Sequence, residues 1–399
     1  MNKLILLFIV LASSIVTFAQ QRTEPVWKSL PIAKPEGHED ENIKCYLSSL
    51  EDSKWKQPPF VYNQDVAVRP VKSKVIVVVF NPVLHSKGNT KLIDYLKAHD
   101  PKKYSKILAD VVNRASNGYV NYDIVDYIET DEIPVKTDGF QYTPDSLLKA
   151  REASSYRKPD RSNYRKIFED NKLIEKCKKE NISEIWLWGA GGMGFDELAM
   201  YIPNRYARFA PTENPWFYRP YEIPPEIGHT VWVMGFNYEV GVGNMIHSYN
   251  HRVESIIALV FAHGVWDKKL AGKDPFNTFT VLNMDFPDRP SQVGNTHVPP
   301  NGKFGYDYTP KGSVMTYADA WPTHYPDMKD CRAREFDSSE YGNTQAGYQE
   351  WFMFHIPSRP GYTKWGYNNW WVYIANTDEN LPFMKSEDYH VQDFKPAGF

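Results

Sequence analysis

The sequence predicts an α/β protein: a three-layer sandwich around a mainly parallel sheet, with an irregular, aromatic-rich C-terminal cap. Two observations carry that prediction. Four apolar runs rich in β-branched and aromatic residues alternate with helical patterns between residues 74 and 261, which is the signature of βαβ units. Beyond about residue 266, Pro, Gly, Asn and aromatic residues dominate and neither period persists.

Residues 1–19 read as a secretory signal. Lys3 supplies a positive start, Leu4 to Val16 an apolar stretch, and Thr17-Phe18-Ala19 small residues at −3 and −1 before Gln20. The expected location is therefore secreted or periplasmic. No cysteine follows the cleavage point, so no lipid anchor is expected. Residues 20–71, rich in Pro, Lys and Glu, read as an extended N-terminal segment.

The α/β core is assigned to 72–266. Lys74–Phe80 (KVIVVVF) is a continuous apolar run of the kind buried on both faces of a parallel sheet. Helices are expected at about Thr90–Ala98 and Lys103–Ser116, then a strand at Tyr122–Ile128. A charged helix at about Tyr164–Lys179 leads to a strand at Ser183–Trp188. The last strand, Thr230–Phe236, precedes a helix through Asn244–Phe261. In the cap region, 267–399, Gly347–His355 reads as a short helix and Trp370–Ile374 as a strand. Such long irregular regions are either functional or a cover for the scaffold.

Composition removes some function classes. Without the signal, 45 basic residues face 49 acidic ones, so the near-neutral balance gives no electrostatic case for nucleic acid or an anionic membrane. No later run approaches ~18 apolar residues, so no membrane insertion is expected. Cys45, Cys177 and Cys331 form at most one disulfide and no CxxC motif. Aromatic residues make 15% of the chain. Rings at that density either line a sugar site or fill an irregular core.

The chemistry-bearing residues cluster late. Seven of eleven histidines lie between His229 and His355. On the helix through residue 250, His251 lies about 40° and Glu254 about 20° to either side of His247. His247, His251 and Glu254 on one face match the His₂Glu set of some catalytic zinc sites. The residue after His247 is Ser248, not the glutamate of the zinc protease motif, so Glu239 is the nearest candidate base. Ile246, Val253, Ile257 and Val260 form the core-facing arc, with Ser248, Arg252 and Ser255 on the other side. That places the His/Glu face on the shoulder between core and solvent. Three readings stay open for it: a metal site, a metal-free acid/base site, and local hydrogen bonding with Glu254 paired to a cation such as Arg252.

His297 follows Asn295 and precedes Pro299-Pro300 and Asn301-Gly302, so a stiffened loop presents it as a third ligand, an acid/base, or a backbone cap. Asn295 and Asp307 flank it as candidate substrate contacts. Gly189 to Gly194 (GAGGMG) matches GxGxxG after a strand, but late in the chain. It reads as a strand-to-helix turn bringing Asp196 and Glu197 to the sheet edge, with no nucleotide cofactor expected. Glu197 is a further candidate catalytic carboxylate. Asn368, Asn369, Trp370 and Trp371 read either as a sugar-stacking cleft or as a hydrophobic cover, whereas Trp186, Trp188 and Trp232 read as core. No GxSxG elbow or activated thiol is present.

The strings GFNYE (235–239), HSxxHRxES (247–255), GNxHxPPN (294–301) and NNWW (368–371) resemble a family of secreted microbial proteins, over roughly residues 74–374. The resemblance carries no activity with it. It implies that the clusters form one site. The expected function is a secreted, metal-assisted hydrolase of extracellular glycans or glycoconjugates, with zinc the favoured divalent ion. In a metal-free version two carboxylates, Glu239 with Glu254 or Glu197, would act as acid and base. The alternatives are a non-catalytic carbohydrate-binding protein and a secreted metallopeptidase.

Overall fold

The computed structural model describes residues 70–203, 222–261, 266–359, 362–363, 366–377 and 397–398. The signal, nearly all of the N-terminal segment and Cys45 lie outside them. The sheet holds five strands: β1 (Val71–Phe80), β2 (Val120–Thr130), β3 (Glu184–Gly189), β4 (Leu198–Tyr201) and β5 (Val231–Asn237). Their spatial order is β2-β1-β3-β5-β4. Four strands run parallel, and β4 closes one edge antiparallel to β5. The architecture is thus a mixed, mostly parallel sheet with helices.

The β-branched runs became strands because both of their faces find apolar partners. Val75 to Phe80 are all buried, as is every residue of β3. Helix α1 (Pro101–Ala115) starts where Asp100 accepts the Lys102 N–H at 2.8 Å and Pro101 takes the first position. Helix α2 (Pro144–Glu152), not foreseen, carries a Thr143/Ser146 capping box. The single charged helix expected at 164–179 is two, α3 (Tyr164–Asp170) and α4 (Leu173–Glu180). Lys172 between them takes a left-handed φ of 55°, ending the first turn pattern. Thr90–Ala98 is also shorter than expected: Thr90 and Lys91 pair in a two-strand ribbon and only Leu92–Leu96 is helical.

Helix α5 (Val242–Phe261) follows β5 and carries His247 and His251. It is enclosed nearly all round, which corrects the shoulder placement. Arg252, assigned to the solvent side, is fully buried: Nη1 donates to Glu184 Oε2 at 2.7 Å, Nη2 to the Ile374 carbonyl at 2.9 Å, and the guanidinium lies over Trp232. The pairing of Glu254 with Arg252 therefore does not form. The cover comes from α6 (Gln345–Phe354) and α7 (Trp371–Ala375), both against α5. The stretch expected as a strand is instead a short helix, Trp371–Ala375, preceded by a turn in which Asn369 Oδ1 accepts the Trp371 N–H at 3.0 Å. A short apolar run buried on every side has no period to separate strand from helix.

Trp321, Phe352, Trp370, Trp371 and Tyr373 of the C-terminal region join the same hydrophobic core as the sheet. Cys177 is a buried free thiol pushed up to about 12 by burial, and Cys331 is free as well. None of the described helices is long and apolar enough to cross a membrane.

Candidate metal centre

His247 and His251 stand one turn apart on α5, and the loop after residue 293 brings His297 against both. His251 Nε2 is 3.0 Å from His247 Nε2 and 3.0 Å from His297 Nε2. The three ligand nitrogens lie within 4.8 Å of one another, so the group can hold a metal ion. Three nitrogens at ~2.0–2.1 Å from a tetrahedral ion sit about 3.3 Å apart, close to the two separations that His251 makes.

The outer nitrogens are held so that the inner ones keep their lone pairs. His251 Nδ1 faces Glu254 Oε2 at 3.5 Å, longer than a hydrogen bond, so the carboxylate favours a proton on Nδ1 by its charge. His247 Nδ1 lies 3.3 Å from Tyr308 Oη and 3.3 Å from Gln349 Nε2. The Gln349 amide already donates to the Thr296 carbonyl at 2.7 Å and toward Tyr308 Oη at 3.2 Å. Tyr308 in turn donates to the Thr296 carbonyl at 3.0 Å. Its oxygen is left to accept from His247 Nδ1–H. Both α5 rings therefore present a bare Nε2 to the cluster. Two lone pairs facing at 3.0 Å repel unless a cation, metal or proton, lies among them.

Electrostatics divide the three rings. Burial, with His251 and His297 beside it, pushes His247 down to about 3. His297 is lowered by burial and by His251. For His251 burial also lowers the pKa, but Glu254 and then Glu197 outweigh it and raise the ring above its ordinary value. Burial thus favours the neutral form of His247 and His297, whereas the neighbouring carboxylates favour a proton on His251.

Glu254 corrects the expected ligand set. Its carboxylate sits behind His251, with Oε1 accepting the Thr296 N–H at 2.9 Å, in the position of a carboxylate that orients a metal-binding histidine. The third nitrogen comes from His297. Glu239, expected to activate water, is instead engaged at the end of β5. Arg151 Nε donates to its Oε2 at 2.6 Å and the Gly191 N–H to its Oε1 at 2.8 Å. None of the three histidines is among its contacts. Glu197 does reach the cluster, with Oε2 3.6 Å from His251 Nε2 and a half-exposed side chain.

Backbone packing delivers Glu197. The Gly194–Glu197 segment leads straight into edge strand β4, with no helix after the glycine loop, which corrects the strand-to-helix reading. Gly235 on β5 lets this segment close in: a Cβ there would stand 2.2 Å from the Asp196 carbonyl. The Glu197 carbonyl accepts the Gly235 N–H at 3.2 Å.

The loop bearing His297 is braced from within. Asn295 Oδ1 accepts the His297 N–H at 3.0 Å, and the Asn295 and Val298 backbones bond reciprocally. Tyr348 donates to both the Asn295 and Val298 carbonyls. Asp307 accepts the Lys303 N–H at 3.0 Å. Asn295 and Asp307, assigned to substrate, are buried braces of this loop. Gly294 has φ +87°, and a Cβ would meet the Val298 carbonyl at 2.5 Å.

Of the two readings of the tryptophan run, burial fits the hydrophobic cover. Trp370 and Trp371 are 1% and 0% exposed, so neither presents a face to a ligand. Asn369 starts a helix, and Asn368 is only partly buried, with an unpartnered carbonyl oxygen. The exposed rings near the histidines are others. Trp266 lies edge-on to His297 at 5.5 Å, and Tyr306 tilts against it at 4.6 Å. Composition gave no sign of which rings were exposed. Tyr306 and Tyr308 stood near His297 in sequence, while Gln349 had no signal at all. Compared with models of known protein families, with curated proteins and with solved structures, the chain matches none.

Proposed function

We propose that the protein is an exported, metal-assisted hydrolase whose ion is held by His247, His251 and His297. The observation that carries the reading is the convergence of three histidine nitrogens, with His251 Nδ1 turned toward Glu254 and His247 Nδ1 toward Tyr308 and Gln349. Nitrogen-only donors of this kind suit zinc, with a fourth position for water or substrate. The bound ion would polarise a scissile carbonyl or acetal oxygen and lower the pKa of its water toward ~7. Glu197, exposed and beside His251 Nε2, is the carboxylate available to take the water's proton.

A glycan or glycoconjugate substrate is the favoured class. Trp266 and Tyr306 offer apolar ring faces at the mouth, and Glu197 offers an acceptor for hydroxyls. The sheet with α5 on one side is read as part of a three-layer scaffold. Elemental analysis tests the proposal. After dialysis against metal-free buffer, the parent should hold near one ion per chain and His251→Ala near none. An ion-free parent that also fails to take up zinc, manganese or calcium removes it.

A further inference from the structure

We propose that Tyr306 is an exchangeable fourth ligand of this centre, its phenol oxygen occupying the open position at rest and yielding it to substrate. The inference rests on the reading of the three histidines as a metal site. Three independent features point to it.

The phenol oxygen lies 3.3 Å from His297 Nε2, the atom that would bind the ion. The ring lies nearly parallel to His247 at 6.0 Å, and also leans on His297. One tyrosine thus lies against two ligand rings, with its hydroxyl at the metal-binding end of His297. The backbone is the second feature. Tyr306 takes φ +66°, a left-handed conformation that bulky residues rarely adopt. Its N–H donates to the His297 carbonyl at 2.7 Å, which ties the strained residue to the histidine it covers. Such strain concentrates where a side chain is held for use.

Exposure is the third. The neighbouring Tyr308 is buried, and its hydroxyl is committed to Thr296 and His247. Tyr306 is 61% exposed, so its ring can turn away from the cluster into solvent. On ligation the phenol gives its proton to solvent and binds as phenolate. On release it takes a proton back, and no electron changes hands. Glu197 approaches His251 instead, so base and exchangeable ligand do not compete for one nitrogen.

Copper(II) is the probe, because N/O sites bind it tightly and a phenolate on it gives a visible charge-transfer band that imidazole and carboxylate do not. Metal-free parent, Tyr306→Phe and Tyr308→Phe are each loaded with one equivalent and their ion content and spectra compared. The expected result is near one copper per chain in all three, with the band lost only in Tyr306→Phe. Stoichiometric copper without the band in the parent, or a band that survives Tyr306→Phe, overturns the role of Tyr306 and leaves the metal centre standing. A parent that takes up no copper overturns both.

Discussion

Replacing Glu254 by Gln separates the two ligand sets most cleanly. The amide keeps an oxygen for the Thr296 N–H, now held at 2.9 Å, and loses the charge that faces His251 Nδ1 at 3.5 Å. If the carboxylate orients and polarises His251 from behind, metal affinity should fall about 10–100-fold, or about 1.4–2.7 kcal/mol. His251→Ala, which removes a ligand outright, should fall much further. Titration with zinc against a chromophoric chelator at pH 8 measures both. The size of the loss should also depend on pH. Glu254 helps to raise the His251 pKa, so in the parent a proton competes with the ion as pH falls through that raised value. Without the charge, burial is left to lower the pKa, and competition weakens. The penalty should therefore shrink toward pH 6. A loss as large as that of His251→Ala would make Glu254 a ligand after all. No loss at pH 8 would mean that the carboxylate does not support the ring.

Three further outcomes follow from the same geometry. Glu184→Gln leaves Arg252 buried without its counter-charge and should cost about 3–5 kcal/mol in denaturant unfolding, whereas Glu184→Leu with Arg252→Met should recover most of it. Trp371→Ala should cost a further large-to-small penalty of about 3–5 kcal/mol, while Trp266→Ala, at an exposed ring, should leave stability within about 0.5 kcal/mol. Equal losses for the two tryptophans would contradict the assignment of cover and mouth. Gly235→Ala drives a methyl into the Asp196 carbonyl, so it should destabilise by about 1–3 kcal/mol and displace Glu197. Metal content should stay unchanged while any metal-dependent hydrolysis falls, and a parallel loss of ion would argue against that separation.

The elements that could be read from sequence were those whose pattern is local. A continuous β-branched run announced β1 and an apolar, aromatic one β3, and the four-residue spacing announced that His247 and His251 share a face. Glu254 shares that face too, but spacing says nothing of direction. It does not tell which ring atom the carboxylate meets: Glu254 Oε2 lies 3.5 Å from His251 Nδ1, across the ring from the Nε2 that faces the other histidines. His297 could be recognised as rigidly presented, through Pro299 and Pro300, though only the tertiary fold brings it within 3.0 Å of His251. β4 is four residues long and follows a glycine-rich loop, so it had no period to read. The aromatic residues misled for a related reason: composition counts rings and cannot say which ones α5 and the sheet bury.

Moving Glu254 from the ion to the rear of His251 changes the chemistry on offer. A His₂Glu set leaves one net positive charge on a divalent ion, whereas three neutral imidazoles leave both. The ion held by His247, His251 and His297 would then be the stronger Lewis acid and would depress the pKa of its water further. Glu254 returns part of that electron density through the His251 ring, which tightens binding without neutralising the ion directly. The remaining carboxylate, Glu197, is half-exposed and has a free path to water. A carboxylate behind the ligand, no anionic ligand on the ion, and a half-exposed base beside it would suit a hydrolytic centre. A purely structural ion would gain more from a fourth fixed protein ligand than from an open side.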